Sequence, residues 1–279
     1  MKPVAFDYER PQDIGGAVAL AGRDDIAVKF LAGGQSLGPM LNLRLAQPDL
    51  LVDLTGIAEL KAVEQRSDAL EFGACITHAD IEDGRVPDVT NGALPAVAAD
   101  IAYRAVRNRG TIGGSLAHAD PAADWINVLA AIGAAVVVRG TSGQRAVPVE
   151  EFMTGVFETV LAPNELVAAI RIPKFSADAR WGYYKVNRKT GEFAHACGAV
   201  LYDPARSVCR AVIGAIEARP IVFTDARELF GRRPEAGLAA SFVPEVAARA
   251  MASAGIADPI EVKIHGVALR RAVERAAAQ

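Results

Sequence analysis

The sequence predicts an α+β chain in two regions, and three observations carry that prediction. β-forming apolar runs alternate with helical periodicity through residues 27–54, the rhythm of a small α/β unit. A polar, breaker-rich stretch at 173–180 interrupts the pattern and marks a boundary. Beyond it, residues 181–186, 198–202 and 210–216 alternate like antiparallel strands, ahead of an alanine- and arginine-rich helical end at 243–278. The expected division is therefore 1–176, with parts of about 1–56 and 57–176, followed by a smaller domain at 177–279.

Taken in order, residues 13–20 repeat apolar positions at helical spacing, and 27–31 lean towards strand. A glycine-rich stretch at 32–39 follows, then a short helix at 40–45 and a second strand at 50–54. Residues 70–74 read as a strand. Thr77, with Asp80 three residues later, has the form of a capping box opening a short helix. The spacing predicts one long helix over 94–106, ending in the basic turn Arg107-Asn108-Arg109-Gly110. A second glycine-rich loop spans 111–120, a helix near 123–132 starts with help from Pro121, and strands follow at 134–139 and 166–172. No tandem repeat is present.

Composition narrows the function classes. The chain is 51% apolar and 23% charged with a net charge of −3, which gives no reason to expect nucleic acid or an anionic membrane as partner. Cys75, Cys197 and Cys209 form no C-x-x-C pair. That pattern fits reduced cytoplasmic thiols and excludes a four-thiolate iron–sulfur cluster within this chain. The first residues lack the apolar run of a secretion signal, and charges or glycines interrupt every apolar run before membrane-spanning length. A cytoplasmic location with no membrane span is expected. His78, His118, His195 and His265 show no metal-ligand spacing, and His118 is expected to make loop hydrogen bonds.

Chemistry concentrates in two segments, Leu31-Ala32-Gly33-Gly34-Gln35-Ser36-Leu37 and Thr111-Ile112-Gly113-Gly114-Ser115-Leu116. Each sets paired glycines after an apolar or β-branched run, with a hydroxyl residue close behind. Glycine admits positive φ and lets backbone N–H groups approach an anion with no Cβ in the way. Successive exposed N–H groups form a nest that neutralises a pyrophosphate without lysine. Taken singly, each pair reads equally as a plain turn. Neither is the G-x-G-x-x-G of a Rossmann unit, and Gly33–Gly38 does not run into the lysine of a P-loop. Together they suit a long ligand with a diphosphate at its centre.

Residues 31–54, LAGGQSLGPMLNLRLAQPDLLVDL, and 101–124, IAYRAVRNRGTIGGSLAHADPAAD, resemble the two flavin-binding segments of the molybdenum hydroxylases. The resemblance is to the medium, FAD-binding subunit of carbon monoxide dehydrogenase-type enzymes and to the flavin domain of xanthine dehydrogenase. It continues through KVNRKTGEFA (185–194) to VALRRAVERA (267–276). It implies an α+β, two-part FAD-binding domain of the vanillyl-alcohol-oxidase (PCMH) type, followed by a smaller C-terminal domain on an antiparallel sheet.

It also implies site residues. Leu31, Ala32, Gly33, Gly34, Gln35, Ser36 and Leu37, with Thr111, Ile112, Gly113, Gly114 and Ser115, correspond to the cradle of the diphosphate and ribityl chain. Asp124 matches a carboxylate on the ribityl region, although a helix-start aspartate satisfies the dipole equally well. Ile101 and Val167 match apolar residues against the isoalloxazine ring, where the plain alternative is ordinary core. Lys185 matches a lysine at the flavin's polar edge, where a cation stabilises the reduced ring; the plain alternative is a solvated strand lysine. Phe193 stands where relatives place an aromatic near the ring. Arg107 and Arg109 have no assigned direction. Gln35 and Ser115 replace a histidine and an asparagine usual in the carbon monoxide enzymes, which keeps hydrogen-bonding capacity while weakening any link to that gas.

By the same resemblance the chain is an electron relay in a heterotrimer, often doubled to a dimer of heterotrimers. A large subunit carries a molybdopterin cofactor, a small one carries two [2Fe–2S] clusters, and an external acceptor takes the electrons. Two rival readings are a self-sufficient flavin oxidase or dehydrogenase, with Lys185, Glu192 or His195 as its base, and a non-catalytic assembly module.

Overall fold

In the computed structural model, which describes residues 2–234 and 237–279, β1 (Asp7–Glu9) and α1 (Ile14–Ala21) lead through β2 (Val28–Leu31) and α2 (Leu37–Asn42) to β3 (Leu50–Asp53). These strands form a parallel sheet in the order β1-β3-β2. All four β3 residues are buried while β1 is exposed. The central strand was therefore legible as an apolar run, and the edge strand was not. The helix expected at 40–45 begins earlier, at Leu37, and ends before Arg44 takes a left-handed φ of 58°.

The middle of the chain continues with β4 (Val63–Gln65), β5 (Ala69–Gly73), α3 (His78–Glu82), α4 (Ala93–Ala99), α5 (Arg104–Arg107), α6 (Ile112–His118) and α7 (Asp124–Ala131). Then come β6 (Ala135–Gly140), β7 (Gly143–Pro148), α8 (Val149–Phe152), the small hairpin β8 (Met153–Gly155) and β9 (Glu158–Thr159), and β10 (Leu166–Pro173). Five of these strands make an antiparallel sheet, β4-β5-β10-β6-β7. Every residue of α7 is buried, as expected of a helix wrapped on all sides. The Thr77–Asp80 capping box forms with both reciprocal bonds in place.

Two expectations in this stretch are corrected. Residues 94–106 are two helices with a break at 100–103, where Ala102 takes a left-handed φ of 44°. The break persists because Arg107 Nη1 donates to the Ile101 and Ala102 carbonyls at 3.0 and 3.2 Å, replacing the helical donors they lack. Residues 111–120 are largely helical, since Thr111 caps α6 by accepting from the Gly114 amide.

The last part is the antiparallel sheet β11 (Arg180–Val186), β12 (Ala196–Asp203), β13 (Val208–Gly214) and β14 (Ile221–Phe223), followed by α9 (Leu238–Ser241), α10 (Pro244–Ser253) and α11 (Pro259–Ala277). One apolar core runs from Ile14 through Trp125 to Cys197, Ala199 and Val212, so β12 and β13 share it with α7. A second core lies beneath α10 and α11. The three thiols are buried, which pushes Cys75 and Cys209 up to about 12 and Cys197 higher still. No helix among the described residues is long and apolar enough to cross a membrane.

Candidate cofactor site

The first glycine segment leaves β2 at the C-terminal end of the parallel sheet, the position where such sheets open a crevice for ligands. Gly34 turns the chain at φ +72°. Gly33 is buried against the backbone of residues 109 and 110: a Cβ there would lie 2.1 Å from the Arg109 carbonyl oxygen. Among the described residues, the amides of Gly33, Gly34, Gln35, Ser36 and Leu37 find no acceptor. Ser36 stands at the start of α2 without a capping bond from its hydroxyl, and Gln35 is exposed beside it. Five consecutive open donors at a strand end match an anion with several oxygens.

The second segment is built differently. The Ile112 amide donates to Ile76 O and the Gly113 amide to Ala74 O, both at 3.0 Å. The Gly114 amide reaches Thr111 Oγ1 at 3.0 Å, and the Ser115 amide reaches Thr111 O at 3.0 Å. The amide nest expected near residue 113 is therefore absent, because all four donors hold the segment against the stretch just after β5 and onto its own cap. A Cβ on Gly113 would lie 2.4 Å from Ala74 Cβ, so only glycine fits there. What the segment still offers is the half-buried edge at Gly114 and Ser115, whose hydroxyl no described residue engages. The two segments do meet: a Cβ on Gly114 would stand 3.8 Å from Ala32 Cβ.

His78 lies under this junction. Its backbone amide donates to Gly110 O at 2.9 Å, and its Nδ1 accepts from the Trp125 indole at 3.0 Å. Burial, with the Arg107 cation adding to it, pushes the imidazole down to about 4. The ring is neutral at pH 7, with its proton assigned to Nε2 by the Trp125 bond.

Asp124 opens α7, and Asn127 fixes the preceding turn by donating to the Pro121 and Ala123 carbonyls at 2.9 and 2.8 Å. The Asp124 carboxylate accepts from Tyr183 Oη at 2.7 Å and from Lys185 Nζ at 2.9 Å, both on Oδ1. Oδ2 accepts from no described residue and is not sealed from solvent. Burial pushes this carboxyl up from its usual range, against the pull of Lys185 and Tyr183. Lys185 is no solvated strand lysine: its side chain is only 3% exposed. Its ammonium also donates to Asp100 O at 2.8 Å and lies 3.4 Å from Asp100 Oδ2.

The remaining expected residues are distributed around these groups. Ile101 is half-buried in the break between α4 and α5, next to the carbonyl that Lys185 holds. Val167 is buried at the bulge of β10, where Ala168 O accepts from Ala74, the residue on which Gly113 rests. Ile112 is fully buried, so only its backbone faces the segment. Arg107 turns to Glu82 and the 101–102 carbonyls. Arg109 is exposed, and Phe193 is 64% exposed on the turn between β11 and β12. His118 makes no loop hydrogen bond among the described residues; it stacks on Phe157 with ring centroids 4.9 Å apart.

Sequence reasoning missed Tyr183, Asp100 and His78. Tyr183 carried a usable signal: it sits two residues from Lys185 on one strand, hence on the same face, and a lysine sharing a face with core residues needs a buried partner.

Residues 4–175 match the family described as the FAD binding domain in molybdopterin dehydrogenase. The carbon monoxide dehydrogenase medium chain of Hydrogenophaga pseudoflava is 37% identical to this chain, over 94% of this chain and 90% of that one. The caffeine dehydrogenase subunit beta of Pseudomonas sp. strain CBB1 is 35% identical, over 80% and 77% respectively. A solved structure of the Hydrogenophaga pseudoflava carbon monoxide dehydrogenase superposes with a TM-score of 0.85 at 33% identity, covering 100% of this chain and 99% of that one. The two-part flavin-binding fold and the C-terminal α+β part are thus common to both. This chain belongs to the family of FAD-binding proteins of the molybdopterin dehydrogenases.

Proposed function

We propose that this chain is the FAD-binding electron-transfer subunit of a heterotrimeric molybdenum-containing dehydrogenase or hydroxylase. It would take electrons from [2Fe–2S] clusters of a small subunit and pass them to an external acceptor. The observation that carries the reading is the row of five open amides at Gly33–Leu37, beside the Gly114–Ser115 edge. When bound, FAD supplies one- and two-electron redox chemistry.

The residues of this chain then have separable tasks. The Gly33–Leu37 amides hold the diphosphate oxygens, and Ser36 and Ser115 add hydroxyl donors. Asp124 Oδ2 accepts from the ribityl chain. Ile101 and Val167 limit water at the ring. We further propose that residues 1–176 form the cofactor-binding domain and 177–279 the second domain, with Lys185 and Tyr183 reaching from the second into the first. Relatives named for carbon monoxide and for caffeine show nearly the same identity to this chain. Substrate choice is accordingly assigned to the large, molybdopterin-carrying subunit, in an assembly that is a dimer of heterotrimers working in the cytoplasm.

The self-sufficient flavoenzyme loses two of its three candidate bases, leaving only the exposed His195. Lys185 is buried and hydrogen-bonded to Asp124 and Asp100, and the Arg188 hydrogen bond holds Glu192 below the usual carboxylate range. The test is reduction of the reconstituted flavin under anaerobic conditions. The lone chain with FAD should turn over no organic substrate, and the flavin should bleach only when both partner subunits and their substrate are added. Substrate-driven bleaching in the lone chain would reject the proposal.

A further inference from the structure

We propose that Lys185 and Tyr183 are positioning residues for Asp124: together they pin Oδ1 and leave Oδ2 for the cofactor's ribityl hydroxyls. The inference rests on the reading of Asp124 as a ribityl ligand and adds how that carboxylate is held.

Three observations carry it. First, Lys185 has three N–H donors and three oxygens around it, Asp124 Oδ1 at 2.9 Å, Asp100 O at 2.8 Å and Asp100 Oδ2 at 3.4 Å. Two of the donors are hydrogen-bonded and the third oxygen completes an ion pair, so the ammonium, on a side chain only 3% exposed, is held inside the protein. Second, Tyr183 and Lys185 are two residues apart on β11 and converge on the same Asp124 oxygen, Tyr183 Oη at 2.7 Å. A carboxylate gripped twice on one oxygen has its plane fixed, and the other oxygen is aimed rather than free to rotate. Third, the break between α4 and α5 has a use. It exposes the Asp100 carbonyl that a continuous helix would have engaged, and that carbonyl is the anchor for the ammonium.

The groups facing Asp124 are Asp100 at the end of α4, Tyr183 and Lys185 on β11, and Cys197 on β12. Lys185 is the one cation among them, and it opposes the burial that pushes the carboxyl up. Without it, burial and Asp100 both favour the protonated form. Ribityl hydroxyls donate best to the anion, so FAD binding to a Lys185→Met chain should tighten as pH rises and the carboxyl ionises. The wild-type chain, with its ion pair intact, should show a smaller pH dependence across the same range.

The experiment is a double-mutant cycle on the full chain, with FAD affinity read by quenching of flavin fluorescence between about pH 6 and pH 8.5. Asp124→Asn and Lys185→Met should each weaken binding roughly tenfold at the acid end. The double variant, which buries neither charge, should be no weaker than Asp124→Asn alone. Tyr183→Phe should cost a few-fold, again only when Asp124 is present. It carries the same test if Lys185→Met fails to fold. An undiminished Lys185 or Tyr183 penalty in the Asp124→Asn background would overturn the inference, as would a pH-flat loss in Lys185→Met. Wild-type affinity in Asp124→Asn would instead remove Asp124 from the cofactor, a separate and distinguishable failure.

Discussion

The two glycine segments share a signature, paired glycines with a hydroxyl residue close by, yet they use their backbone donors in opposite ways. In the first, five successive amides from Gly33 to Leu37 have no acceptor within the described residues. In the second, the amides of Ile112, Gly113, Gly114 and Ser115 are all engaged, two on Ile76 and Ala74 just after β5 and two on Thr111. Glycine serves the first through a positive φ at Gly34, and it serves the second through close backbone packing at Gly113. One segment leaves its backbone donors unengaged by the described residues. The other is shaped to hold its neighbour in place, since Arg109 and Gly110, which lead into it, form the surface on which Gly33 rests.

If that contrast is right, a methyl group should do different damage in the two places. Gly113→Ala forces a Cβ to 2.4 Å from Ala74 Cβ and should destabilise the FAD-free chain by about 3 kcal/mol, measured by denaturant unfolding. Acid should strike the same region. The lowered His78 value means the folded chain binds fewer protons than the unfolded one. Its contribution is fully present above the ordinary imidazole value of 6.5 and is lost as pH falls through about 4. Roughly 3 kcal/mol should disappear over that window in wild type, and a His78→Gln chain should lack that slope. Gly34→Ala, in contrast, should cost only about 1 kcal/mol of stability at its φ of +72° while weakening FAD roughly tenfold. Smallest of all, Ser36→Ala and Ser115→Ala should each weaken FAD a few-fold and leave unfolding unchanged, because neither hydroxyl is tied to the protein. A Ser115 variant that lost stability as well would blur the distinction.

Local chemistry accounts for what the sequence disclosed. The capping box at Thr77, the buried run of β3 and the alternating strands β11 to β13 are decided by residues a few positions apart, so they read correctly. Three features were hidden. The helix break at 100–103 sits in an unbroken apolar pattern and depends on a guanidinium from Arg107 satisfying carbonyls. The engagement of the second segment depends on acceptors at Ala74 and Ile76, nearly forty residues earlier. Lys185 takes its character from Asp100 and Asp124, which lie 85 and 61 residues away in the chain. Residue types suggested the candidates, and tertiary partners decided their roles.

Amide hydrogen exchange with and without FAD tests the contrast most directly, because it reads the donors themselves. The account predicts that Gly33–Leu37 exchange quickly in the FAD-free chain and become protected when FAD binds, while Ile112–Ser115 are protected in both states. Protection gained on FAD binding at Ile112–Ser115, with Gly33–Leu37 unchanged, would contradict it.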